Sequence, residues 1–131
     1  MCAARGSLLI VDDDPGVIQT LSRMLQLEGY DVLTALDAET GLRELSTVRP
    51  VAILLDLRMP SVDGLMFMRR LRAQERDRDI PVAIITGDYA MDETLSHELR
   101  ELGAIICFKP LWLGDLVTVI DRLLQNTPDQ H

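Results

Sequence analysis

Leu8-Leu9-Ile10-Val11 is a continuous apolar run, and residues 51–55, 82–85 and 104–108 are runs of the same kind. Unbroken apolar runs of this length suit strands buried on both faces, as in a parallel sheet. Residues 31–35 make a shorter and more polar run, which predicts a weaker strand near an edge. Between these runs the apolar positions change to helical spacing. Val17, Leu21, Met24 and Leu25 form one stripe, and Gly29 marks its stop. Asp37 is placed to cap a helix through Leu42 and Leu45 that ends before Pro50. Leu65, Met68 and Leu71 mark a third helix. Leu95, Leu99 and Leu102 mark a fourth, closed by Gly103, and Leu116, Val119, Ile120, Leu123 and Leu124 mark a fifth.

The predicted order is β-α repeated five times with short connections. Strict alternation of this kind predicts an α/β fold, a parallel sheet with helices on both faces. No second compositional regime, linker or internal repeat interrupts it. Residues 126–131 carry no apolar side chain and are expected to fray. The length of 131 residues fits one domain with a single core, expected over residues 7–125, with 126–131 as a tail or the start of a linker.

Composition narrows the function. Apolar residues make up 47% and charged residues 26%, which excludes extended disorder. The formal net charge of −8 repels phosphate backbones, so direct nucleic acid binding by this chain is not expected. The same acidity suits a metal site built from carboxylates. No apolar stretch approaches the roughly 20 residues that cross a bilayer, and the run at residues 8–11 is too short for a signal peptide. Two cysteines, Cys2 and Cys107, make no disulfide framework, and Cys107 reads as a small core residue. A cytoplasmic protein without membrane insertion is expected.

In open parallel sheets ligands gather at the carboxyl ends of the strands. Asp12-Asp13-Asp14 ends the first run, Asp56 the third, Thr86-Gly87 the fourth and Lys109-Pro110 the fifth. Singly, each has a bland explanation. Asp14 before Pro15 is a turn former, Thr86 a helix cap, and Lys-Pro a solvated turn. Jointly they set carboxylates, a hydroxyl and an ammonium on one rim. Clustered carboxylates raise one another's pKa unless a cation neutralises them, and Mg²⁺ (or Mn²⁺) takes such hard oxygen ligands. A carboxylate beside metal-bound phosphate is a competent nucleophile. Lys109 and Thr86 supply charge and a hydroxyl to the transferred group, and Gly87 leaves it room.

The segments that carry this chemistry also match a family. Leu9-Ile10-Val11-Asp12-Asp13-Asp14, then Leu54-Leu55-Asp56-Leu57-Arg58-Met59-Pro60 with Asp63-Gly64, then Ile85-Thr86-Gly87, and Gly103-Ala104 followed by Lys109-Pro110 resemble the receiver domain of bacterial two-component response regulators. The resemblance covers nearly the whole chain. It implies a (βα)5 flavodoxin-like three-layer sandwich with a five-stranded parallel sheet of order 2-1-3-4-5. It implies Asp56 as phosphoacceptor, with Asp12, Asp13, Asp56 and the backbone carbonyl of Arg58 around the metal. Thr86 matches the switch hydroxyl and Lys109 the phosphate-contacting lysine. The implied donor is a phosphohistidine on a sensor histidine kinase or a histidine phosphotransfer protein, and the implied target is a downstream effector domain or protein. Catalysis is then limited to the chain's own aspartyl phosphorylation and dephosphorylation.

Two departures stand out. Three residues before Lys109, where the family commonly has Tyr or Phe, stands Ile106; an aliphatic switch or a muted surface change are the two readings. Phe108 lies on the same strand face. After the Lys-Pro comes Leu111-Trp112-Leu113, in place of an aromatic and polar stretch. Leu111 reads as core. Trp112 and Leu113 read either as a partner contact or as a cap on a helix pair. Ile18 reads either as a docking point for a kinase helix or as core. Two rival functions share the residues: a receiver-fold interaction scaffold that no longer switches, motivated by Ile106, and an aspartyl-phosphate phosphatase using Asp12 and Asp14 as an Asp-x-Asp pair. Pro15-Gly16 and the lack of a cap domain argue against the second.

Overall fold

The computed structural model describes residues 6–57, 64–87, 91–109 and 112–125. Ten elements alternate along them: β1 (Ser7–Val11), α1 (Pro15–Leu27), β2 (Asp31–Ala35), α2 (Ala38–Glu44), β3 (Ala52–Asp56), α3 (Gly64–Ala73), β4 (Val82–Thr86), α4 (Glu93–Glu101), β5 (Ala104–Phe108) and α5 (Leu113–Gln125). The strands form one parallel sheet of order β2-β1-β3-β4-β5. This is the expected doubly wound arrangement, and the more polar strand β2 does stand at an edge.

The unbroken apolar strands are explained by two cores. Alternate side chains of β1, β3 and β4 serve opposite faces. Leu9, Val11, Ile53, Leu55, Val82 and Ile84 pack with Ala38, Phe67, Met68, Leu71 and Leu99 from α2, α3 and α4. Leu8, Ile10, Ala52, Leu54, Ala83 and Ile85 pack with Ile18, Leu21 and Leu25 of α1 and Leu116, Val119, Ile120 and Leu123 of α5. A strand flanked by helices on both sides has no polar face to alternate with.

Local chemistry sets the ends. Asp14 caps α1, its Oδ1 accepting from Gly16 N at 2.9 Å and Val17 N at 3.4 Å. Asp37 caps α2 through Thr40 N at 2.7 Å. Gly29 and Gly103 take positive φ, 96° and 89°, just past α1 and α4, where a side chain would be strained. Arg72, which the sequence reading passed over, ties α3 to two loops: its Nε donates to Leu102 O at 2.7 Å and its Nη1 to Arg78 O at 2.8 Å and Ile80 O at 2.7 Å. Arg69 pairs with Glu98 across α3 and α4. Among the described residues no helix is long and apolar enough to cross a membrane. Cys2, Leu111 and the tail 126–131 lie outside the described residues.

Candidate functional site

Asp12 follows β1 directly, and Asp56 is the last residue of β3. The two strands are neighbours, so their ends bring both carboxylates to the same rim. Both continue the phase of the α1/α5 face, two residues beyond Ile10 and Leu54. Asp12 is 3% exposed and Asp56 7%, whereas Asp13 lies out in solvent. One carboxylate oxygen from each of the three acids lies within 4.8 Å of the others. Asp12 is held in place: its Oδ1 accepts from Asp14 N at 2.9 Å, and its own N donates to Ala35 O at 3.1 Å.

Lys109 comes from the far side of the sheet. Its Nζ lies 3.4 Å from Asp12 Oδ2 and 3.5 Å from Asp56 Oδ1. Its backbone N donates to Thr86 O at 2.8 Å, which fastens the end of β5 to the end of β4. Thr86 is only 1% exposed and continues the phase of the opposite face, after Val82 and Ile84. It closes a strand, and α4 is capped by Asp92 instead, which removes its bland reading as the cap of that helix. Among the described residues a Cβ built on Gly87 meets nothing within 4 Å, so open space adjoins Thr86 there.

The electrostatics are those of a strained acidic site. Burial, followed by the Asp12 charge, pushes the Asp56 carboxyl up to about 6 against the opposing pull of Lys109. Lys109 loses stability as a cation through burial, but the Asp56 and Asp12 charges outweigh that and hold its pKa above the usual value. One ammonium thus leaves the carboxylates incompletely neutralised. The donor set fits a small hard dication: all-oxygen, clustered and open to solvent on the Asp13 side.

A third buried acid, Asp77, has a different setting. It sits in the loop before β4 with Arg76 Nε at 3.4 Å and Arg49 Nη1 at 4.0 Å. Arginine partners make it a loop anchor.

The sequence-assigned residues Asp12, Asp13, Asp56, Thr86 and Lys109 therefore share one rim. Arg58 lies outside the described residues. Asp14 spends its carboxylate on the start of α1, which leaves the Asp-x-Asp reading without its acid. Ile18 is buried in the α1/α5 core, which favours packing over docking. Trp112 is 70% exposed and Leu113 is also exposed, so neither caps a buried helix pair. Ile106 is half-buried against the α4 side of the core and Cys107 half-buried against the α5 side, where burial pushes its thiol pKa up. Gly64 contributes more than its place in a motif suggested. A Cβ there would stand 2.9 Å from Leu57 Cα and 3.2 Å from Asp56 O, so only glycine lets α3 start against the backbone that presents Asp56. The sequence signal was the glycine itself.

Residues 8–121 match the family model described as the response regulator receiver domain. The chain belongs to that family. It is 38% identical over 120 residues to the transcriptional regulatory protein PrrA of Mycobacterium leprae, covering 91% of this chain and 50% of that one. It is 33% identical over 118 residues to the regulatory protein AtoC of Escherichia coli, covering 90% and 25%. The chain thus spans about half or less of these curated relatives. Among solved structures it superposes on the signal receiver domain of a histidine kinase from Syntrophus aciditrophicus with a TM-score of 0.83, at 31% identity, covering 96% of this chain and 95% of that one. It superposes on the chemotaxis protein CheY4 of Vibrio cholerae with a TM-score of 0.85, at 29% identity, covering 92% and 100%. The receiver resemblance and the flavodoxin-like fold of strand order 2-1-3-4-5 are both borne out.

Proposed function

We propose that this receiver accepts a phosphoryl group on Asp56 from a phosphohistidine donor and relays it as a change of surface. The observation that carries this reading is the buried Asp56 carboxylate. Asp12 and Asp13 oxygens stand within 4.8 Å of it, and the Lys109 ammonium stands 3.5 Å away. An Asp56 oxygen attacks phosphorus; the new O–P bond forms as the P–N bond breaks, and the departing imidazole keeps the electron pair and takes up a proton. Attack by water at the same phosphorus later breaks the P–O bond, returning the carboxylate and inorganic phosphate. Lys109 meets the negative oxygens of the transferred group, and the Thr86 hydroxyl donates to one of them.

Asp12, Asp13 and Asp56 would hold Mg²⁺ or Mn²⁺, with the Arg58 carbonyl as a further ligand expected from the family resemblance. Bound there, the dication supplies the positive charge that lets three carboxylates and a phosphoryl group share one site. The partners fitting this reading are a sensor histidine kinase or phosphotransfer protein upstream and an effector domain or protein downstream. Residues 7–125 form the working domain, in the cytoplasm. A mere scaffold would gain nothing from like-charged carboxylates kept close and largely dry.

The test is intact mass measurement after incubation with acetyl phosphate or phosphoramidate and Mg²⁺. One phosphoryl group should add to the wild-type chain, labile in base and absent from Asp56→Asn. No adduct with these donors or with a phosphorylated histidine protein would overturn the reading.

A further inference from the structure

Thr86 and Phe108 are direct partners in the parallel register of β4 and β5. Directly opposed residues project to the same sheet face, with Cβ atoms in reach of one another. Phe108 is 41% exposed, although the rest of β5 is covered on that face: Ala104 is buried and Ile106 packs against the core beside Met91 and Leu95. The ring therefore stands at the rim, partly out of the core. It is also flanked by two groups of the site. On one side is Thr86, whose carbonyl accepts from the backbone N of Lys109. On the other is Lys109 itself, the next residue in the chain, whose ammonium faces Asp12 and Asp56.

We propose that Phe108, in register with Thr86 and adjacent to Lys109, is the side chain that converts phosphorylation of Asp56 into a change of the exposed surface. This rests on the function proposed above. When the Thr86 hydroxyl turns toward a phosphoryl oxygen, its methyl group must rotate as well, because both are carried on Cβ. One neighbour that feels the rotation is the same-face partner on β5. Lys109 meanwhile exchanges a carboxylate for a phosphoryl oxygen further out, which pulls on the backbone immediately after the ring. Ile106 is a poor carrier of the same signal. It lies one pleat deeper, in register with Ile84, and both are aliphatic side chains held by core neighbours. Phe108 is a positioning and reporting residue here, with no part in bond making.

The chain has two phenylalanines, Phe67 and Phe108, and Phe67 is fully buried. Incorporating 4-fluorophenylalanine therefore gives two ¹⁹F resonances, assigned by their loss in Phe108→Leu, with Phe67 as an internal control. Phosphoramidate and Mg²⁺ are added, and intact mass is read on the same sample. The expected result is a shift of the Phe108 resonance by more than its linewidth, with Phe67 nearly unmoved. In Thr86→Ala the phosphoryl charge is still added, yet most of the Phe108 shift should vanish. An adduct with no Phe108 shift overturns the proposal, as does a shift of full size in Thr86→Ala, which would mark a mere field effect of the added charge. Failure to form any adduct would instead overturn the function beneath it.

Discussion

Asp56→Asn should make the metal-free protein more stable. Burial and the neighbouring Asp12 charge push the Asp56 carboxyl from 3.8 in the unfolded chain up to about 6 in the fold. The native state therefore holds the proton more tightly than the unfolded one. By linkage, stability falls as pH rises between these two values, and the cost is fully present above about 6. At 1.36 kcal/mol per pH unit, a shift of about 2 units sets a ceiling of about 3 kcal/mol. Solvent at the open rim screens part of this, and asparagine gives up the ion pair with Lys109, so a gain of about 1–2 kcal/mol is expected at pH 7.5. For a domain of this size that is a rise in Tm of about 3–10 °C. The assay is urea or thermal unfolding with a chelator present, repeated near pH 4.5, where the ceiling drops to about 1 kcal/mol because the native carboxyl is already protonated. Saturating Mg²⁺ should shrink or reverse the difference, since a ligand at 100 times its Kd stabilises the wild type by about 2.7 kcal/mol. A chelated Asp56→Asn no more stable than wild type at pH 7.5, or one whose gain is the same at both pH values, would refute the reasoning.

Asp13→Asn should leave unfolding within about 0.5 kcal/mol, because Asp13 is exposed, while weakening Mg²⁺ binding at least tenfold by calorimetric titration. Gly64→Ala drives a methyl into Leu57 and the Asp56 carbonyl; it should cost about 1–3 kcal/mol in urea and slow phosphorylation of Asp56. Arg72→Ala leaves the carbonyls of Leu102, Arg78 and Ile80 without their donor, a loss of about 2 kcal/mol by chemical denaturation. Lysine at that position should recover little, because one ammonium does not reproduce the guanidinium fork.

The order of elements was legible because each strand here is covered twice. Apolar runs at β1, β3, β4 and β5 have no polar phase, and the half-exposed β2 was correspondingly the faintest. Site residues were legible for a topological reason: a doubly wound sheet delivers every strand end to one rim, so Asp12, Asp56, Thr86 and Lys109 had to converge once the strands were placed. Arg72 stayed hidden because its role is set by three carbonyls that are distant in sequence and carry no residue-type signal. Ile18 was ambiguous because a position at the margin of a helical stripe faces core or solvent according to how closely the neighbouring helix approaches. Here α5 packs the same face and buries it. Phe108 shared a face with Ile106 by alternation, but alternation cannot say which of the two lies beneath the covering helix and which at the rim. That depends on where α4 begins relative to the end of β5.

The same feature makes Asp56 expensive and useful. A carboxylate this buried, beside Asp12, is held in its anionic form at neutral pH against a free energy that the fold must supply. Lys109 offsets only part of it, because one ammonium serves two carboxylates at 3.4 and 3.5 Å. The remaining imbalance is negative, and it is relieved by any dication that settles among the acids. It follows that metal affinity, the acidity of Asp56 and the stability of the metal-free fold are three readings of one charge imbalance. A substitution that changes one without the others acts through shape, as Gly64→Ala should. One that moves all three together, as Asp12→Asn should, acts through charge. Phosphorylation would redistribute that charge outward onto the transferred oxygens, which draws Lys109 and the Thr86 hydroxyl toward them. Phe108, which borders both residues, is left 41% exposed at the rim by the fold.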